Sequence, residues 1–182
     1  MENTETKGGI IQPAMTYGLI LSLGIILFSI ATYAMNNFNP GIAVQAIQWI
    51  IMIGLVYYGQ LKYRNDSKGG FLSYGQSLGF GTLIGLFASI VYALFFIVMI
   101  KVVDTSYIQK MLQAMEQAMY EKNMPEEQIK MMMDIYSQKM TIGMLIIGSI
   151  FSLTFITFII SLITSIFVKK SESPFGKDEF NG

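Results

Sequence analysis

All 12 basic and all 12 acidic residues of this 182-residue chain fall outside three blocks, residues 8–61, 69–100 and 140–168. A helix that crosses a hydrocarbon core of about 30 Å needs about 20 mostly apolar residues. Each block meets that length. The first holds two such runs, divided by the turn Asn36-Asn37-Phe38-Asn39-Pro40-Gly41. A charge at the bilayer centre costs about 3 kcal/mol on insertion scales, so this segregation is what a chain crossing a membrane four times requires. Charged residues make up 13% of the chain, against about a quarter in water-soluble domains. A helix satisfies its own backbone in oil. The pattern therefore predicts an all-α, polytopic membrane protein with four transmembrane helices in a single membrane domain over residues 1–182.

The first transmembrane helix is expected over about residues 13–35, with Pro13 in its first turn, where a missing N–H does no harm. The second is expected over about 42–61. The polar run at residues 62–70 then predicts a tight loop. The third begins between Ser73 and Leu78, about residue 76, and ends near 100. The fourth covers about 141–168 and is long enough that it must tilt or project. The tail at 169–182 is expected to be disordered. A signal peptide is the rival reading of the N-terminal region, because Lys7 precedes an apolar run and Thr32-Tyr33-Ala34 resembles a cleavage site. The run is longer than the roughly 7 to 15 residues of a secretory core, so a retained helix is expected.

Residues 104–139 form the one sizeable polar segment between spans. Ile108, Met111, Leu112, Met115 and Met119, then Ile129, Met132, Ile135, Tyr136 and Met140, recur at the three-and-four spacing of a helix with one apolar face. Two short amphipathic helices are predicted, broken near Asn123-Met124-Pro125. Ser106 with Gln109 and Asn123 with Glu126 fit N-terminal capping boxes. The pair either lies on the membrane surface or projects as a hairpin.

Lysine and arginine in short flanking segments set orientation. Lys62, Arg64 and Lys68 follow the second span, Lys169 and Lys170 follow the fourth, and Lys7 and Lys177 sit in the tails. The turn between the first two spans has none, and the five lysines of residues 101–139 are diluted by carboxylates. Both termini are expected in the cytoplasm. Tyr17, Tyr57, Tyr58, Tyr63 and Tyr74 fall near that interface, and Tyr33 and Tyr107 near the other.

Several chemistries are removed at the outset. The chain lacks cysteine and histidine, hence thiolates, disulfides and the commonest metal ligand and general base. Zero net charge draws no nucleic acid. No Asp, Glu, Lys or Arg lies within the predicted spans, which weighs against ion coupling through a buried carboxylate. Gln45, Gln48, Gln60, Gln76 and the serines could still line a channel or carrier, or bond between helices. The carboxylates and lysines of residues 104–139 read as a solvated face. Not an enzyme, and no cofactor, is the expectation.

Gly75, Gly79, Gly81, Gly85 and Ser89 open the third span as two GxxxG pairs, and Ala14, Gly18 and Ser22, then Thr157, Ser161 and Ser165, form similar strips. Small residues let helix backbones approach. Packing within the chain, homodimerisation and pore lining all stay open. Nine of the 14 methionines fall between Met111 and Met144. Thioethers take soft Cu(I) or Ag(I), with Met111, Met115 and Met119 as the candidate ligands, but methionine also fills mobile apolar contacts.

The order of these features carries a resemblance. A helix pair, then Tyr63-Arg64 and Lys68-Gly69-Gly70-Phe71-Leu72-Ser73-Tyr74-Gly75-Gln76 leading into a glycine-rich helix, then a methionine-bearing acidic segment and a last helix, resembles the domain of unknown function 4199 family over about residues 10–170. The resemblance implies a four-helix protein of a bacterial inner membrane, mainly of the Bacteroidetes group, and no catalytic residues. The expected function is non-enzymatic association through residues 101–139, with the lipid bilayer, a second copy or another membrane protein as partner. A small oligomeric carrier or channel, and soft-metal binding, are the alternatives.

Overall fold

A computed structural model of the chain describes residues 9–139 and 141–171. Six α-helices run in the order α1 (Ile11–Ala34), α2 (Ile42–Lys62), α3 (Tyr74–Val98), α4 (Tyr107–Glu121), α5 (Glu126–Lys139) and α6 (Ile142–Val168). Four helical stretches, Ile11–Ala34, Ile42–Ser67, Tyr74–Val103 and Ile142–Val168, are long and apolar enough to cross a membrane. The chain is a multi-pass membrane protein. Leu27, Ile50, Leu94, Ile147, Phe151 and Phe167 are among the large apolar side chains exposed on these four, as a lipid-facing surface requires.

Helix ends are set by local chemistry, and here the structure corrects four expectations. The predicted loop at 62–70 is not all loop, because the helix continues as a π-helical turn over Tyr63–Ser67 before Gly69 and Gly70, both at positive φ, reverse the chain. The wider turn lets Tyr63 stack on Phe80 (3.9 Å between ring centres) while Arg64 donates to the Val168 carbonyl (3.0 Å). Similarly, helical structure runs past residue 100 as a π turn over Met99–Val103. Ser106 makes no capping box, since its hydroxyl donates instead to Asp104 (2.6 Å). Asn123 does not cap α5. It closes α4 at φ +55°, its N–H bonding to the Tyr120 carbonyl and that of Met124 to the Met119 carbonyl, and α5 starts on the carbonyl of Pro125. Asn36 ends α1 in the same way at φ +52°.

The side-chain caps that do form were not foreseen. Ser73 accepts from the Gln76 N–H while the Gln76 side chain accepts from the Ser73 N–H, which starts α3 at Tyr74 rather than about 76. Thr141 caps α6 by accepting from Met144.

α3 is the hub, packed between α1 on one side and α6 on the other, with α2 against all three. The buried residues, however, crowd into one half of the bundle. In α1 they run from Ala14 to Ile25, in α2 from Met52 to Gln60, in α3 from Ser77 to Ala93 and in α6 from Thr157 to Val168. In α1, α2 and α6 these are the halves nearest Lys62, Arg64, Lys68, Lys169 and Lys170, the basic end, whereas in α3 burial runs along most of the helix. Toward the other end, which carries the α4–α5 hairpin, α1, α2 and α6 hold no buried residues, and burial continues along the third span alone, at Ala93, Met99 and Ile100. Met119 of α4 and Ile129 of α5 are buried. Met111, Met115 and Met132 are half-buried, Ile135 is exposed, and Met140 lies outside the described residues, as do Lys7, Lys177 and most of the expected disordered tail.

Candidate functional site: a chamber under the hairpin

The basic end is closed by small residues. Gly18 of α1 faces α3 so closely that an added Cβ would stand 2.7 Å from the Phe87 Cβ. On the opposite face of α3, a Cβ at Gly81 would collide with Ser161, and one at Gly85 with Thr157. Ser89, one turn on, is buried and shares a hydrogen bond with Thr154 (3.2 Å). Of the five small residues that open the third span, these last three therefore face α6. Gly75 and Gly79 meet nothing within 4 Å. Gln60, fully buried, donates to the Ser77 carbonyl (3.0 Å) and the Ser165 hydroxyl (3.1 Å), tying α2, α3 and α6 together. Below it, Leu72 and Lys170 exchange backbone hydrogen bonds (2.9 Å each), and Lys170 lies 5.6 Å over the Phe71 ring. Arg64, Lys68, Lys169 and Lys170 are thus gathered on one face with Lys62, which pairs loosely with Asp66 (4.0 Å).

The other end is open. A cavity of about 600 Å³ lies between α3, α6 and the hairpin, lined by Phe96, Met111, Ile135, Met144, Leu145 and Gly148 among others. A second, of about 370 Å³, lies between α2 and α6 and carries Gln45, Gln48, Trp49 and Ser152. A third, of about 170 Å³, touches Ser29, Thr32 and Tyr33 of α1. All three share Tyr92, whose hydroxyl is 3.2 Å from that of Ser29, so they surround one side chain at the centre of the splayed half.

The hairpin is held over this chamber by one polar knot. Asp104 accepts from the Ser106 N–H (2.9 Å) and hydroxyl with one oxygen, and from Lys110 (2.7 Å) and the Tyr33 hydroxyl (3.0 Å) with the other. Lys110 and Ser106 hold the Asp104 carboxyl far below the usual carboxylate range, and Asp104 in turn raises Lys110. Around the knot, Tyr33 stacks on Tyr107 (5.9 Å), while Phe38 and Phe96 meet Tyr107 edge-on (5.4 and 5.6 Å). Burial pushes the Tyr107 phenol up to about 12, so it stays neutral at any physiological pH. Sequence reasoning passed over Asp104. A lone carboxylate two residues before a serine and six before a lysine was the available signal.

The three methionines weighed as metal ligands do not converge. Met111 lines the 600 Å³ cavity, whereas Met115 and Met119 line a separate one of about 300 Å³ with Met124 and Met132.

A family model described as "Protein of unknown function (DUF4199)" matches residues 16–170. The chain belongs to the DUF4199 family. That match covers every element of the DUF4199 chain from the first turns of α1 to the Lys170 bridge, and so both the closed end and the chamber. No curated protein and no solved structure matches it.

Proposed function

We propose that this DUF4199 chain is a non-enzymatic protein of a bacterial cytoplasmic membrane, with both termini inside, that acts by association through the outward α4–α5 hairpin and the chamber beneath it. The observation that carries this reading is the asymmetry of the bundle: closed and cross-linked at the basic end, splayed under a hairpin at the other. Positive charge supports the orientation, because Lys62, Arg64, Lys68, Lys169 and Lys170 share the closed end. The cavities around Tyr92 lie in the splayed half, which suits capture better than conduction. Tyr120 and Met131, exposed on the hairpin, offer apolar contact to headgroups, a second copy or another membrane protein.

A photocrosslinking residue placed at Tyr120 or Met131 in cells is expected to give a discrete adduct. Absence of any adduct, together with solute flux in liposomes from the purified chain, would move the function to an uncoupled carrier. That second reading is favoured by one feature, the convergence of Gln45, Gln48 and Ser152 on the 370 Å³ cavity.

A further inference from the structure

We propose that the cleft between α3 and α6 seats one acyl chain of an anionic membrane lipid, with Lys139 at its mouth receiving the headgroup phosphate. This rests on the outward placement of the hairpin argued above and names the ligand class of the chamber.

The wall is built for a chain. Met144, Gly148 and Ser152 lie one helical turn apart along α6, so the cleft is about 12 Å deep. Phe96, Met111, Ile135 and Leu145 supply its aromatic, thioether and aliphatic surface. The Ser149 hydroxyl is turned back onto the Ile146 carbonyl (2.8 Å), and the Tyr92 hydroxyl is engaged by Ser29 (3.2 Å). Gly148 leaves the middle of the wall empty, since a Cβ there would meet no atom within 4 Å.

Position decides between apolar occupants. The cleft runs along α6, one of the four helices long and apolar enough to cross a membrane, so acyl chains are the apolar molecules that bathe its wall.

Charge decides the headgroup. Two lysines of the hairpin differ in their commitments: Lys110 is paired with Asp104 at 2.7 Å, whereas Lys139 lines the mouth, is exposed and has no carboxylate partner among the described residues. Lys139 ends α5 two residues before the Thr141 cap of α6, so it stands where the hairpin meets the polar end of a membrane-crossing helix. Tyr136, also on the mouth, adds a hydroxyl.

The full chain in vesicles of equal phosphatidylglycerol and phosphatidylcholine tests this, with a diazirine-bearing acyl chain on one lipid or the other and adducts located by mass spectrometry. Phosphatidylglycerol is expected to label the Met144 to Ser152 wall about fivefold more than phosphatidylcholine, the scale of one interfacial lysine. Lys139→Gln should abolish that preference. Gly148→Leu, which enters open space and favours helix, should cut labelling of the wall severalfold while leaving the exposed Ile163 and Phe167 unchanged. Equal labelling by the two lipids, or labelling indifferent to Gly148→Leu, overturns the proposal. A hairpin adduct from Tyr120 or Met131 alongside equal labelling would overturn the lipid seat and leave the association reading standing.

Discussion

Glycines of one sequence motif do unlike work because of where a neighbouring helix happens to run. Gly85 lies against the Thr157 side chain and Gly81 against Ser161, with no room for a methyl group. Overpacking at such sites forces backbone shifts worth about 1 to 3 kcal/mol. Gly85→Ala should therefore destabilise the protein by that order, read as an earlier midpoint in mixed-micelle unfolding. Gly79→Ala has open space and the better helix former, so its stability should change by less than about 1 kcal/mol. Equal losses at both positions would contradict the placement of α6. The same reasoning explains Gln60, whose amide is tolerable inside the bundle because two acceptors on different helices meet it. Its own carbonyl oxygen and the hydroxyls of Ser77 and Ser161 have no partner among the described residues, so this is a polar seam in an otherwise apolar contact.

At the level of elements, the hairpin hangs on Asp104. The folded carboxyl is depressed well below its unfolded value, so its stabilisation is complete above about pH 4 and fades as pH falls through the folded value. Lys110 is raised, so its contribution is complete below the ordinary lysine range of about 10 and fades above it. Hairpin docking, followed by amide hydrogen exchange in α4, should be level from about pH 5 to 9 and loosen on the acid side first. Asp104→Asn should speed exchange in α4 at neutral pH while α3 and α6 stay protected. If α4 exchanges at the wild-type rate in that variant, the aromatic contacts of Tyr107 alone hold it.

For the whole molecule, charge and closure coincide: the end with Lys62, Arg64, Lys68, Lys169 and Lys170 is also the end sealed by Gln60 and the α3–α6 contact. The chain has no cysteine, so single cysteines report topology without background. In intact cells whose outer membrane has been made permeable, Lys122→Cys should react with an impermeant maleimide and Lys68→Cys should not. The reverse pattern would invert the bundle and put the lipid seat in the inner leaflet.

Four spans, the hairpin break at Asn123 to Pro125 and the gathering of basic residues were legible without coordinates, because solvent preference is a property of each residue and of its spacing along the chain. Helix ends were less so: Ser106 and Asn123 looked like caps by local pattern, but Asp104 and the closure of α4 claimed them. The chamber could not be read at all. Whether a glycine meets Thr157 or empty space, and whether Tyr92 stands between three cavities, depends on where helices distant in sequence converge and where they part. Hydropathy is local and survives in the order of letters. Distance between helices is set by the sum of all their contacts, and only the folded bundle contains it.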